Sequence, residues 1–132
     1  MTAPTSEVRG ATYLRDGFRC VSCGRSNGLQ WQHRQASGHG GRGRKAPALT
    51  TADGVTSCYI CNPRYESDMQ HMALALGWKL KRNLSYMTPI EIPFYVKWER
   101  QWYLPGEDSN RTPIHPTLAA ELIAATGVMA VG

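Results

Sequence analysis

The sequence predicts a small α+β domain stapled at two cysteine pairs. Three observations carry that reading. The pairs Cys20-x-x-Cys23 and Cys58-x-x-Cys61 stand 34 residues apart. Apolar and polar residues alternate over 29–34, the period of a strand, whereas Met69, Met72, Ala73 and Leu76 recur at the spacing of one helix face. At 132 residues, with 42 % hydrophobic and 19 % charged side chains, the chain suits one domain with a modest core.

The elements follow in order. Residues 6–14 form a short helix on the strength of Val8, Ala11 and Tyr13. Residues 29–34, reading LQWQHR, make a first strand that ends near His33, and 55–58 make a second. Between them lies SGHGGRGRK at 37–45, rich in glycine and arginine and expected as a mobile loop, because it has nothing to bury. A helix starts after Cys61, with Asn62 as its N-cap, Pro63 at its first position and Gly77 as its stop. Further on, Phe94, Val96 and Trp98 alternate with Tyr95, Lys97 and Glu99. Residues 101–104 return as a hairpin partner that Pro105-Gly106 closes. Trp98, Trp102 and Tyr103 are assigned to packing that hairpin. Residues 117–125 are a small C-terminal helix with Leu118, Leu122 and Ile123 on one side and Gly127 as its stop. Residues 1–83 are therefore the stapled domain, and 84–132 an extension packed on it.

Charge is unevenly spread. Residues 1–50 carry eight basic side chains against Glu7 and Asp16, whereas 51–132 carry seven basic and eight acidic ones. A basic half beside a neutral half suits a polyanion, with nucleic acid the first candidate. No apolar run is long enough for a membrane span, so no membrane partner is expected. The opening MTAPTSEVRG lacks the apolar stretch of a signal peptide, and a cytoplasmic location is expected. Thiols stay reduced there, so four cysteines point to metal ligation before disulfides.

Doubled Cys-x-x-Cys spacing is the ligand arrangement of structural zinc, because each tight turn aims two sulfurs at one tetrahedral ion. Cys20, Cys23, Cys58 and Cys61 are the expected Zn²⁺ ligands. Four thiolates leave no open coordination position, so this zinc holds structure and does no chemistry. The long insert between the pairs carries His33, at the end of a strand. Asn62 and Glu66 are four apart in the helix beyond the second pair and share a face. A histidine and two oxygen-bearing side chains make a plausible base-and-metal site.

These motifs together resemble the HNH endonucleases, in particular the small zinc-stapled versions encoded by phages of actinobacteria. The matching text is RDGFRCVSCG, LQWQHR, GHGGRG, ADGVTSCYICNPRYES and ALGW, spanning about 15–78. The resemblance implies a ββα-metal (His-Me finger) core with one catalytic divalent ion, Mg²⁺ or Mn²⁺. It places the general base on His33, metal contacts on Gln32, Asn62 and Glu66, and the family's middle asparagine on Asp53. Gln32 stands where that family commonly has Asp or His. Asp53, if close to His33, would accept its second ring proton and fix its tautomer, as the acid of a catalytic triad does. The implied substrate is double-stranded DNA, in a phage packaging role or against a host target, within the host cytoplasm.

The chemistry is coherent on its own terms. A neutral histidine near pH 7 can take a proton from water. Hard oxygen ligands suit Mg²⁺ or Mn²⁺, and such an ion can clamp a phosphate and its leaving oxygen. Arg34, His39, Arg42, Arg44 and Lys45 are expected as DNA-backbone contacts, which position a duplex without reading it. Two rival readings remain: a zinc-ribbon nucleic-acid-binding protein without catalysis, favoured by neutral Gln32, and a protein-interaction module using the aromatic C-terminal segment.

Overall fold

The computed structural model describes residues 3–35, 48–84 and 86–128. It is a mixed α+β fold with two small antiparallel sheets, one of two strands and one of three. Helix α1, Ser6–Arg15, is capped by Thr5, whose side chain accepts from the Val8 N–H at 3.1 Å. It ends in buried Arg15 and Asp16. Arg15 Nε and Nη2 donate to the two Asp16 carboxylate oxygens at 2.8 and 3.0 Å. The same guanidinium donates to the carbonyls of Thr51 and Gly54, and Asp16 accepts the Thr56 N–H. With every polar atom of the pair engaged, the helix is tied to the edge of the first sheet without an orphaned charge.

That sheet pairs β1, Leu29–His33, with β2, Gly54–Cys58, in a register running from Leu29↔Cys58 to His33↔Gly54. The cysteine end and the histidine end of the hairpin are thus opposite ends. Trp31 lies under α1, its indole N–H donating to Thr12 Oγ1 at 2.9 Å. Gly54 is required here, because a Cβ on it would fall within the Trp31 ring.

The single helix expected after Cys61 is two helices, α2 (Cys61–Arg64) and α3 (Gln70–Ala75). Asn62 is not the N-cap. The chain is already helical at Ile60, and the first free N–H, that of Cys61, is directed to Cys58 Sγ at 3.4 Å. The cysteine turn does the capping, which frees the Asn62 side chain for another contact. Between α2 and α3 a turn is closed by Met69 N–H to Arg64 C=O at 2.8 Å. Gly77 ends α3 with φ of 76°, pressed against the Pro93 carbonyl where no Cβ fits.

The second sheet runs β3 (Phe94–Val96), β4 (Gln101–Pro105) and β5 (Arg111–Ile114). The predicted hairpin stops earlier than the alternation implied. Trp98 is outside it, in a turn over 97–100 with Arg100 at φ of 55°. Strand β5 is legible only in three dimensions: Pro113 within it confines it to an edge. Helix α4, Pro116–Ala125, is capped by His115, whose Nδ1 accepts the Thr117 N–H at 3.1 Å.

The core spans the whole chain. One cluster joins Val21, Val55, Tyr65, Ala73 and Trp78 to Phe94, Val96 and Tyr103. A second joins Ala75, Leu80 and Leu84 to Ile92, Ile123 and Val128. Residues on both sides of position 84 fill the same interior. Among the described residues, no helix is long and apolar enough to cross a membrane.

Candidate functional site

The two Cys-x-x-Cys turns face one another. All four Sγ atoms lie within 4.8 Å of each other, and Cys23 and Cys58 approach to 3.7 Å. A tetrahedron with metal–sulfur bonds of 2.3 Å has edges of about 3.8 Å, so the donor set fits one tetrahedral cation. All four are free thiols, three of them buried and Cys23 exposed. Cys20 Sγ lies 3.2 Å from Ser22 Oγ, and that hydroxyl is 2.7 Å from the buried Tyr65 hydroxyl. Contacts of this kind orient ligands around a metal. Burial pushes the Cys61 thiol up to about 12 and raises Cys23 as well. Desolvation also opposes the Cys58 thiolate, but the N–H groups of Cys61 and Ile60 outweigh it and Cys58 is lowered. A cation that binds Cys61 and Cys23 therefore has to displace their protons.

At the other end of the hairpin, His33, Gln32, Asn62, Glu66 and Lys79 line a shallow cavity of about 210 Å³, together with Trp31 and Arg34. The strand delivers His33, the Trp31 ring meeting its imidazole edge-on at 4.8 Å between centroids. Helix α2 delivers Asn62, whereas Glu66, expected on the same helix face, lies in the turn after α2 has ended at Arg64, its N–H donating to the Pro63 carbonyl at 3.3 Å. Asn62 Nδ2 donates to Gln30 Oε1 at 3.0 Å, which leaves Oδ1 as its coordinating atom. Gln32, although its neighbour His33 starts on the opposite strand face, reaches the same cavity while Nε2 donates to the Trp78 carbonyl at 3.3 Å. Glu66 Oε2 is held by Lys79 Nζ at 2.6 Å, and Lys79 also donates to Gln70 Oε1. Lys79 is a member of the cavity that the sequence did not announce. It lies beyond α3 and is brought back only by the tertiary fold.

Arg34 is a correction. Expected at a DNA interface, it is wholly buried, and its guanidinium donates to the carbonyls of Gly77, Ala52, Pro89, Ile92 and Pro93 at 2.8 to 3.1 Å. Burial lowers its pKa to about 9, with Arg15 adding to the effect, so it stays charged at neutral pH. Its five donors are the reason an arginine stands here. Asp53 is also elsewhere than expected. It is absent from the residues lining the His33 cavity, and its Oδ2 accepts the Thr50 N–H at 2.7 Å and the Thr50 hydroxyl at 3.2 Å. That carboxylate caps the short 3-10 turn Thr51–Asp53. His39, Arg42, Arg44 and Lys45 lie outside the described residues.

Among the described residues, the four cysteines are the sole group of three or more His, Cys, Asp or Glu side chains close enough to hold a metal. A larger cavity, of about 460 Å³, lies between α1 and the β4–β5 turn, but Glu7, Glu107 and Asp108 on its wall would repel a phosphate. No protein-family model, curated protein or solved structure matches this chain.

Proposed function

We propose that the protein is a metal-dependent endonuclease acting on DNA, with a ββα core held by structural Zn²⁺ on the four cysteines. One observation supports the reading above the others. His33 from the strand, Asn62 from α2 and Glu66 from the turn after it line a single cavity although 28 residues separate His33 from Asn62 in the chain. In this reading a ring nitrogen of neutral His33 accepts the proton of the attacking water. Asn62 Oδ1, Gln32 and Glu66 would hold a divalent ion such as Mg²⁺ or Mn²⁺. When bound, that ion supplies Lewis-acid stabilisation of the leaving oxygen. Lys79 neutralises a non-bridging phosphate oxygen once Glu66 turns to the cation, because the ion pair is partly exposed and weakly held.

The Glu66–Lys79 pair, and the lack of a carboxylate-containing metal cluster among the described residues, favour a second reading, a DNA-binding module without catalysis. Plasmid nicking separates the two. Wild-type protein is expected to relax supercoiled plasmid in Mn²⁺ or Mg²⁺. His33→Ala should lose about 10²–10⁴ in rate, with zinc content and DNA affinity kept. Glu66→Ala should regain activity at high Mn²⁺, whereas His33→Ala should not. Wild-type protein that binds the plasmid and never nicks it would establish the binding module instead.

A further inference from the structure

The cysteine cluster carries a second surface on its outside. Phe18 stands half exposed (50 %) with φ of 56°, a left-handed conformation that a bulky side chain adopts only at a cost. Trp98 is 41 % exposed and Tyr59, between Cys58 and Cys61, is 53 % exposed. The Trp98 ring is seated on Gly17 and Gly24, both at positive φ, and a Cβ on either would touch it at 3.4 Å. Lys97 N–H to Val21 C=O, at 2.8 Å, fastens the Trp98 turn to the first cysteine turn. Arg19 lies over Trp98 and Arg25 over Tyr59, at 5.0 and 5.6 Å from the ring centroids. Gly24 and Arg25 are adjacent in the chain, so these contacts form one continuous face.

Its charge is one-sided. Arg19, Arg25, Lys97 and Arg100 have no carboxylate partner among the described residues. The neighbouring acids are already used: Asp16 is buried against Arg15, and Glu99 is bound by Arg111 at 2.9 Å and by the Tyr103 hydroxyl. Rigid exposed aromatic rings, guanidinium planes against them and uncompensated cations are what a strand of unstacked nucleotides requires. A duplex would meet only the cations, because its bases are stacked away from the rings.

We propose that this face binds an unpaired stretch of nucleic-acid strand, with bases stacking on Trp98, Tyr59 and the arginine planes and phosphates held by Lys97 and Arg100. It rests on the preceding reading only for nucleic acid as the partner, and does not require His33 to cut. The face surrounds the cysteine turns, and the cavity begins at Asn62, directly after Cys61, and runs to His33. A duplex in the cavity with a single-stranded tail on the platform is the substrate shape this favours.

Fluorescence anisotropy of the full chain, without added divalent ion, tests it with four labelled probes. These are an oligothymidylate, its abasic counterpart, a blunt duplex and the same duplex with a thymidine tail. Wild-type protein should prefer oligothymidylate to the abasic strand, and tailed to blunt duplex, by roughly 5- to 150-fold, the worth of a stacked base. Trp98→Ala should lose both preferences and keep its affinity for blunt duplex. Tyr59→Leu removes the second stacking ring from an exposed position, so it reads the platform even if Trp98→Ala misfolds; it should weaken oligothymidylate binding several-fold. Equal wild-type affinity for abasic and thymidine strands would overturn the platform, as would unchanged preferences in both ring variants. Either result would leave the nuclease reading standing, because that reading is judged by plasmid nicking.

Discussion

Arg34 shows how one residue can be misread from its chemistry. On a basic half-chain, an arginine after His33 looks like a phosphate contact. In the fold it is a crosslink: five backbone carbonyls, from Ala52 to Pro93, converge on one guanidinium, which also lies over the Phe94 ring at 5.9 Å. Pro89 C=O also accepts the Ile92 N–H at 3.1 Å, but removing the fork takes the guanidinium donor from the buried carbonyls of Ala52, Gly77, Ile92 and Pro93. Arg34→Lys offers three donors on a single atom and cannot span the set. It is expected to destabilise the protein by at least about 3 kcal/mol, with each buried orphan costing about 1–3 kcal/mol. Urea unfolding measures this. A variant of normal stability but weaker DNA binding would return Arg34 to the interface.

Among the elements, the junction between α3 and β3 is the most tightly specified. Gly77 holds φ of 76° and faces the Pro93 carbonyl, while Trp78 N–H returns to Ala73 C=O and the Arg34 guanidinium takes the Gly77 carbonyl. A methyl group here meets backbone on both accounts. Gly77→Ala should therefore cost about 3 kcal/mol, from left-handed strain together with overpacking that the backbone cannot relieve. The expected readout is a lowered midpoint of thermal unfolding. Gly10→Ala, in the exposed face of α1 where a Cβ meets nothing within 4 Å, should instead leave stability the same or slightly higher. Equal behaviour of the two variants would contradict the close approach at Pro93.

For the whole molecule, the metal and the charge asymmetry decide behaviour. The hydrophobic core is split into two clusters, and the cysteine cluster ties the first cysteine turn to the second across the hairpin. One zinc per chain is expected by metal analysis, and chelation should unfold the protein cooperatively. Protons compete for the same sulfurs. Below the ordinary thiol pKa of about 8.5 the unfolded chain carries protons that the metal-bound fold lacks, so stability falls as pH falls. Zinc release followed with a chromogenic chelator should accordingly grow as pH is lowered from 8 toward about 5. Charge acts on binding instead. Replacing Arg42, Arg44 and Lys45 with alanine should reduce the slope of log affinity against log salt by roughly two to three units. An unchanged slope would move the phosphate contacts to other cations.

The sequence by itself determined the local and periodic features. Cysteine spacing fits a tight turn, alternation marks β1, and the residues after Cys61 start a helix wherever the rest of the chain goes. The cap at Thr5 and the glycine stops at Gly77 and Gly127 are equally local in origin. Candidate site residues His33, Asn62 and Glu66 were legible because each sits at the end of such an element. Tertiary structure alone decided what met what. Cys58 Sγ took over the cap assigned to Asn62, five distant carbonyls drew Arg34 inward, and Thr50 claimed the Asp53 carboxylate. Lys79 joined the cavity, and Trp98 left its strand to lean on two glycines. The physical reason is one of range. Backbone propensity and side-chain period are properties of a few consecutive residues, whereas the partner of a buried polar group is whichever acceptor the completed fold leaves unsatisfied beside it.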